Sequence, residues 1–333
     1  MAPQRPPKLP QLLHRKIYKT GQTRGADDDE IFQNRVSRTS TVLIPFLVWR
    51  MHFTPEEWAA HFEKGYIVLI SPNDYFGGLD REDALAREGL VLGENALVFY
   101  ETRGQWIANN PIALGWVAAK NRLNPLRGQY VARISATTAT DNGGKIIKGF
   151  STTTNKGAGI RVYEYAGERQ ISECRLQLEA LFWLCADSHQ VSIDNGMTAD
   201  NAAARKAYIL GLCEAGALLD FPRLATARIA NRDNKTVCPL CLEELSSAGF
   251  FSRMEQAAGR EVLDLTITQI NLFHIDELRM GAFNHRPYNL GWGHHHCNVV
   301  VKDAGIMQTL QWMNSVLQRN IEGGYFPTTN SGI

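Results

Sequence analysis

The chain has 333 residues, of which 44% are hydrophobic and 21% are charged, with a formal net charge of +1. Its length suits two domains, because single cores stop growing at about 250–300 residues, and its apolar content excludes a fold that depends on disulfides or a metal merely to exist. No run approaches the ~18 apolar residues of a membrane span, and no secretory signal pattern opens the chain, so we expect no membrane association and a cytoplasmic location.

A basic segment opens the chain and is followed at once by four acidic residues, 27–30. Such an arm can neutralise DNA phosphates, although a solvated tail is the alternative interpretation. We assign residues 1–35 to a basic N-terminal arm. Its basic residues within the first 25 positions, where no acid occurs, are Arg5, Lys8, Arg15, Lys16, Lys19 and Arg24.

Residues 36–170 predict a mixed, β-rich α/β domain. Short apolar runs with β-branched and aromatic residues are bounded by turn residues, which favours strands, and two other segments, near 58–62 and 112–122, favour helices. The predicted strands cover 41–48, 66–71, 96–101, 130–135 and 161–166.

The pattern becomes helical over residues 171–235, which we interpret as a helical connector. Good helix formers predict helices at 173–188 and 198–221. Thr198 is a suitable N-cap for the second helix, and Pro222 is expected to end it.

The last segment, 236–325, ends in a predicted helix at 303–320. Four apolar side chains fall on one face of that helix, which predicts ordinary core packing. They are Ile306, Leu310, Met313 and Leu317.

The six cysteines fall into two groups. Cys174, Cys185 and Cys213 stand singly in apolar helical segments, so we expect buried free thiols there. The other three belong to the paired motifs Cys238-x2-Cys241 and His294-x2-Cys297.

Two such pairs, about fifty residues apart, can close a tetrahedral shell around Zn²⁺. Because the protein fills all four positions, the pattern predicts a structural zinc rather than a catalytic one. His295 or His296 could replace His294 as the fourth ligand, and surface histidines with free thiols are the alternative without a metal.

Between the pairs, the segment 271–303 carries His274-Ile275, Gly281 and His285, Asn289-Leu290, and Cys297-Asn298 followed by Lys302-Asp303. This order and spacing resembles the HNH, or ββα-metal, nuclease motif, over about 65 residues counted from Cys238. The resemblance implies a strand ending in the catalytic histidine, a loop, a second strand and a helix. The chain as a whole is thus predicted to be α+β, with a β-rich DNA-reading domain, a helical middle and a C-terminal zinc-stabilised ββα module.

The chemistry suits these residue types. Phosphodiester hydrolysis needs a base near neutrality, which we assign to His274, and a cation on the phosphate, for which the amide oxygen of Asn298 suits Mg²⁺ or Mn²⁺. By the resemblance, Asn289 orients the base or braces the loop. His285 could contact a phosphate or support His274 from behind, and a satisfied, partly buried histidine is the alternative interpretation of His274.

The chain departs from the motif at one position. Many members of the family place an acid just before the catalytic histidine as a second metal ligand, where this chain has Phe273. Asp276, two residues after His274 and on the same side of an extended strand, could replace it as a ligand of the catalytic metal, with a solvated carboxylate as the alternative. The other common nuclease core requires Glu-x-Lys, which occurs nowhere in this chain.

About 235 residues precede the cutting module, an arrangement that resembles a type II restriction endonuclease. The segment 9–46 resembles such enzymes of the BstXI kind, which cut interrupted palindromes. The resemblance implies a sequence-specific endonuclease for double-stranded DNA that leaves 5′-phosphate and 3′-hydroxyl ends. A palindromic target implies a homodimer, and a restriction system implies a companion DNA methyltransferase.

Two alternatives remain for the function. One is an endonuclease that requires a methylated base and holds it, flipped, against Tyr100, Trp106 and Trp116, although core packing explains these side chains as well. The other is a non-catalytic, zinc-stabilised DNA-binding protein. Base-reading residues are expected in the arm or in the loop 143–159, without a particular residue being assigned.

Overall fold

A computed structural model describes thirteen segments of the chain. They are 6–18, 22–24, 35–52, 62–78, 81–120, 126–134, 140–141, 144–146, 159–257, 260–261, 268–279, 283–302 and 304–325. Several predicted features lie outside these segments or have side chains that are not described. They are Gly281, Asp303, nearly all of the predicted helix near 58–62, most of the loop 143–159 and half of the basic residues of the arm.

The chain divides into two compact units. The helical unit comprises Met1–Thr20, Arg169–Leu278 and Asn284–Ile333, and the sheet unit comprises Gly21–Glu168 and Arg279–Phe283. The boundaries of the four predicted functional domains stay a prediction.

The described α-helices are numbered in chain order. They are α1 (Gln11–Tyr18), α2 (Phe46–His52), α3 (Pro72–Gly77), α4 (Arg81–Arg87), α5 (Arg103–Ala108), α6 (Glu168–Trp183), α7 (Ser188–Asp194), α8 (Ala199–Ala215), α9 (Phe221–Thr226), α10 (His295–Val301) and α11 (Ile306–Glu322). None of the helices in the described segments has the length and hydropathy needed to cross a bilayer.

The described strands are numbered in the same way. They are β1 (Gln22–Arg24), β2 (Arg35–Ser37), β3 (Val42–Pro45), β4 (Tyr66–Ile70), β5 (Ala96–Tyr100), β6 (Tyr130–Ala132), β7 (Thr140–Asp141), β8 (Gly144–Lys145), β9 (Ile160–Arg161), β10 (Glu255–Ala257), β11 (Arg260–Glu261), β12 (Ile270–His274) and β13 (Leu290–His294). The chain is therefore a mixed α+β protein, as predicted.

The sheet unit is built on a parallel five-stranded sheet in the order β6-β5-β4-β3-β9. Alternate side chains of its strands enter two separate apolar clusters: Ile44 and Val98 belong to one, and Leu43 and Leu97 to the other. Burial on both faces explains why these strands read as continuous apolar runs. Two of the five predicted strands, 66–71 and 96–101, are confirmed with nearly the predicted bounds, and the strand predicted at 130–135 forms over Tyr130–Ala132 only.

Three predictions for this unit are corrected. The first strand stops at Pro45 and α2 begins at the next residue, and only Arg161 of the predicted strand 161–166 pairs, because a 3₁₀ turn follows it. No helix forms within the described part of 112–122. Asn110 caps a single turn by accepting hydrogen bonds from the Ile112 and Ala113 amides, but Gly115, at a φ of 71°, then leaves the right-handed helical conformation.

The helical unit is organised around α6 and α8. A buried, bidentate ion pair joins them, with Arg205 Nε 2.7 Å from Glu179 Oε1 and Nη2 2.7 Å from Oε2. Cys174, Cys185 and Cys213 are buried free thiols, as predicted. Burial is the largest cause that raises the pKa of Cys185, and likewise that of Cys213, to about 12, so neither thiol is a reactive thiolate near neutrality.

The ends of α8 test two sequence predictions. Thr198 is the N-cap, as predicted, and its hydroxyl accepts a hydrogen bond from the Asn201 amide at 3.2 Å. The prediction that Pro222 ends this helix is wrong, because α8 ends at Ala215 and is followed by Ala217 at a φ of 53°. Pro222 instead lies in the first turn of α9, where its missing N–H costs nothing.

Helix α11 does not pack as its periodicity predicted. Ile306 is buried and Leu310 is half-buried, but Met313 and Leu317 keep 42% and 40% of their surface exposed. The helix is amphipathic, and only the first turns of its apolar face meet the core of the helical unit.

Candidate metal centre and strand–loop–helix site

The first half of the metal centre is a tight turn. The Leu242 amide donates to the Cys238 carbonyl at 2.8 Å, the Cys238 amide donates to the Glu243 carbonyl at 2.9 Å, and Leu242 has a φ of 64°. The Arg228 guanidinium braces this turn by donating to the Pro239 carbonyl at 2.9 Å. The turn directs Cys238 and Cys241 toward the same point.

The second half is the junction of β13 and α10, where His294 is the helix N-cap and Cys297 lies in the first turn. The ligand atoms of Cys238, Cys241, His294 and Cys297 all lie within 4.8 Å of one another. Ligands of one tetrahedral ion at about 2.3 Å are roughly 3.8 Å apart, so these four residues fit a single metal ion.

The geometry selects one of the three consecutive histidines. His294 Nδ1 is 3.4 Å from Cys241 Sγ, whereas His295 Nδ1 is 3.1 Å from the side-chain Nδ2 of Asn271 and His296 is exposed. The choice that the sequence left open therefore falls on His294.

Burial shifts the pKa values of two candidate ligands, Cys297 and His294. It is the largest cause that raises the pKa of Cys297, to which the neighbouring Cys238 and Cys241 add, and the largest cause that lowers the pKa of His294. The neutral imidazole is the form that binds a metal, and a bound divalent cation reverses the preference of the thiols by stabilising thiolates.

Strands β12 and β13 form an antiparallel pair in which His274 faces Leu290 and Phe273 faces Gly291. The Phe273 ring is fully buried and occupies the space above Gly293, where an added Cβ would lie 2.5 Å from the ring. This packing leaves His274, the last residue of β12, on the opposite side of the strand from the core.

His274 lies beside a second histidine from the connecting loop. His274 Nε2 is 3.4 Å from His285 Nδ1, and His274 is half-buried, whereas His285 has none of its surface exposed. The two rings are inclined by 49° with centroids 5.6 Å apart. The sequence did not predict this contact, because it depends on how the loop folds back.

The Asn289 side chain forms hydrogen bonds with the backbone of the loop. Its Oδ1 accepts from the Asp276 amide at 2.8 Å, and its Nδ2 donates to the Asn284 carbonyl at 2.7 Å. Asn289 is buried. These bonds join the start and the end of the loop that connects β12 with β13.

Asn298 lies on α10 and faces β12. Its Nδ2 donates to the Leu272 carbonyl at 3.1 Å, which fixes the carboxamide and leaves its oxygen without a donor among the described residues. Leu272 and His274 are two residues apart on one strand, which corresponds to about 7 Å. The half-buried Asn298 is thus held against the strand that ends in His274.

Asp276 does not follow the strand geometry expected for it. β12 ends at His274, so the alternation that was to bring Asp276 to the same side does not extend that far. The side chain is exposed, and its backbone amide is held by Asn289. The buried Phe273 occupies the position at which many HNH proteins carry an acid.

The aromatic residues considered as a base pocket have different surroundings. Tyr100 and Trp106 are buried in the core of the sheet unit with ring centroids 5.7 Å apart. Trp116 is half-buried and stacks on Phe76 at 5.6 Å. Core packing therefore accounts for the first two.

One of the comparisons with known proteins identifies a family. The family model described as BstXI restriction endonuclease matches residues 15–295 of this chain. No curated protein and no solved structure gives a significant match.

Proposed function

Because this chain belongs to the BstXI restriction endonuclease family and is thus a type II site-specific deoxyribonuclease, we propose that it cuts DNA with an HNH site. The site comprises β12, the loop to Asn289, β13 and α10. The observation that carries this proposal is local. His274 ends one strand of an antiparallel pair whose partner strand runs directly into the helix that bears Asn298.

In this proposal His274 is the general base. It accepts a proton from water as the water oxygen bonds to phosphorus. The bond to the 3′ oxygen breaks and that oxygen takes a proton from solvent, which leaves 5′-phosphate and 3′-hydroxyl ends. His285, fully buried and in contact with His274, is a positioning residue for the base. Its burial favours this role over a contact with a DNA phosphate.

Asn298 is proposed to offer its amide oxygen to the catalytic cation. Mg²⁺ or Mn²⁺ supplies charge stabilisation of the phosphate and of the departing oxygen. Asp276 remains a proposed further ligand, because it is exposed and lies two residues from His274. Asn289 braces the loop through backbone hydrogen bonds, as the HNH resemblance implied.

The Cys3His cluster is proposed to hold a structural Zn²⁺. Three sulfurs and one imidazole nitrogen form a donor set that zinc prefers, and protein atoms fill all four positions. Such an ion would join the turn at Cys238 to the junction of β13 and α10. It would thereby fix the strand and the helix that carry the two catalytic side chains.

The test of the HNH proposal is a comparison of His274→Ala with the exposed His189→Ala in Mg²⁺. Loss of the general base is expected to slow cleavage by about 10²–10⁴-fold without changing DNA affinity, whereas the control cuts like the wild type. His285→Gln is expected to lower kcat and leave DNA affinity unchanged. Cleavage by His274→Ala at the wild-type rate would refute the mechanism.

The target and its methylation state need a second experiment. Run-off sequencing of the ends produced from a mixed DNA substrate gives the recognition sequence and the stagger together. Parallel digestion of methylated and unmethylated copies of one plasmid separates an ordinary restriction enzyme, partnered by a protecting methyltransferase, from one that requires a modified base.

A further inference from the structure

A cavity of about 450 Å³ lies within the helical unit, next to the proposed catalytic loop. Its walls come from α9, from the residues before β13 and from the start of α11. Ile275 and Asp276, the two residues that follow His274, line it as well. Two of the lining residues therefore follow the proposed general base directly in the chain.

The cavity is strongly cationic. Three arginines, Arg223, Arg228 and Arg286, line it together with a single carboxylate, that of Asp276. Arg228 is committed to the carbonyl groups of Pro239 and Leu240 in the metal-binding turn. Within the described segments, no carboxylate lies at ion-pair distance from the guanidinium group of Arg223 or Arg286.

The Arg223 side chain is held in place before any ligand arrives. Its guanidinium lies 3.9 Å from the centroid of the Tyr288 ring, and the Tyr288 hydroxyl donates to the Ala217 carbonyl at 2.7 Å. The Tyr288 amide donates to Gln177 Oε1, also at 2.7 Å. Stacking covers one face of the guanidinium and leaves the N–H groups at its edge available, the geometry that suits a phosphate.

We propose that this arginine cleft binds a backbone phosphate of the substrate DNA beside the scissile phosphate, through Arg223 and Arg286. The DNA substrate follows from the family, and only the position relative to the cut rests on the proposed HNH function. A phosphate contact fixes the register of the strand without reading its sequence. Successive nucleotides are spaced by about 3.4 Å along the helix axis, so a cleft next to His274 is within reach of a neighbouring phosphate.

The test measures DNA affinity rather than cleavage. Full-length Arg223→Gln, Arg286→Gln and the double variant are titrated with cognate and scrambled duplexes at several salt concentrations, without a catalytic metal, by fluorescence anisotropy. The double variant is expected to bind both duplexes roughly tenfold more weakly, and the slope of log affinity against log salt should fall by about 0.9 for each lost phosphate contact. Arg169→Gln, which removes an exposed arginine paired with Glu173, is the matched control and should bind like the wild type.

Three outcomes would overturn the proposal. The first is unchanged affinity and salt slope in a double variant that is folded by its thermal transition. The second is a loss confined to the cognate duplex, which would indicate base reading. The third is saturable binding of inorganic phosphate by the wild type while DNA affinity survives the double substitution, which would indicate a small-anion site. His274→Ala keeps the tests separate, because its cleavage reports on the HNH proposal and its DNA affinity is expected to stay unchanged.

Discussion

Phe273 directly precedes His274, the proposed general base. Many HNH proteins use an acid at this position, but here the ring is fully buried against Gly293 and belongs to the core of the helical unit. The position cannot offer an oxygen to a metal in this chain. The proposed catalytic cation therefore depends on Asn298 and on an exposed carboxylate such as Asp276.

We expect Phe273→Asp to destabilise the protein rather than restore the commoner motif. A charge would be placed in the core and the volume of a ring would be lost, at a cost of about 4 kcal/mol or more. Phe273→Leu, which keeps an apolar side chain, should cost about 1 kcal/mol. Urea unfolding of the full chain measures both, and wild-type stability of Phe273→Asp would contradict the assigned core position.

At the level of single residues, the sequence predicted that Cys238, Cys241, His294 and Cys297 would lie together, as they do, but it did not predict the surroundings of His274 and Asp276. The spacing of Cys238, Cys241 and Cys297 pointed to a metal site because two short paired motifs are a local pattern. The contact of His285 with His274 depends on a loop closed by Asn289, and no local pattern encodes that closure. The alternation of side chains along a strand did not apply to Asp276, because this residue lies beyond the end of β12.

At the level of elements, the Cys3His cluster joins a turn to a strand–helix junction more than fifty residues later in the chain. We expect about one Zn²⁺ per chain by elemental analysis. Cys238→Ser should lose the ion, the folding of the region around it and the cleavage activity, because binding and folding are coupled. Cys213→Ala removes a buried thiol outside the cluster and should retain the ion. A folded, active protein without zinc would refute this prediction.

Whether a strand or helix could be predicted depends on the interactions that stabilise it. Strands β4, β5 and β6 were predicted because burial on both faces gives short apolar runs that no other element explains well. The helix expected at 112–122 was not found in the described part, because Gly115 has a φ of 71°, which interrupts a right-handed helix. Helix α11 was predicted by its periodicity, but periodicity does not tell which partner the apolar face will meet.

At the level of the whole molecule, that apolar face bears on assembly. We propose a homodimer, because a palindromic target presents two equivalent strands to two equivalent sites. Helix α11 supports this proposal: Trp312 is 57% exposed, Met313 and Leu317 are also exposed, and Arg319 and Glu322 are its only charged residues. Exposed aromatic and methionine side chains with few charges are typical of protein interfaces.

We expect light scattering to give twice the mass of the chain. Replacement of Trp312, Met313 and Leu317 by glutamine should lower the measured mass toward that of the monomer. The reason is that these substitutions remove the apolar surface that the interface would bury. Met51→Gln, which removes an exposed methionine of the sheet unit, is the control and should leave the mass unchanged. A monomeric wild type at micromolar concentration would contradict the proposal.

The packing of Phe273 on Gly293 has a consequence for the evolution of this group of enzymes. A β-carbon at 293 would collide with the ring, so position 293 cannot gain a side chain while Phe273 stays. Relatives that keep an aromatic residue in front of the proposed catalytic histidine should keep glycine on the facing strand, whereas those that acquire an acid there are released from that restriction. The two positions should therefore covary, and the pair can serve as a diagnostic for which metal-ligand set a newly found relative uses.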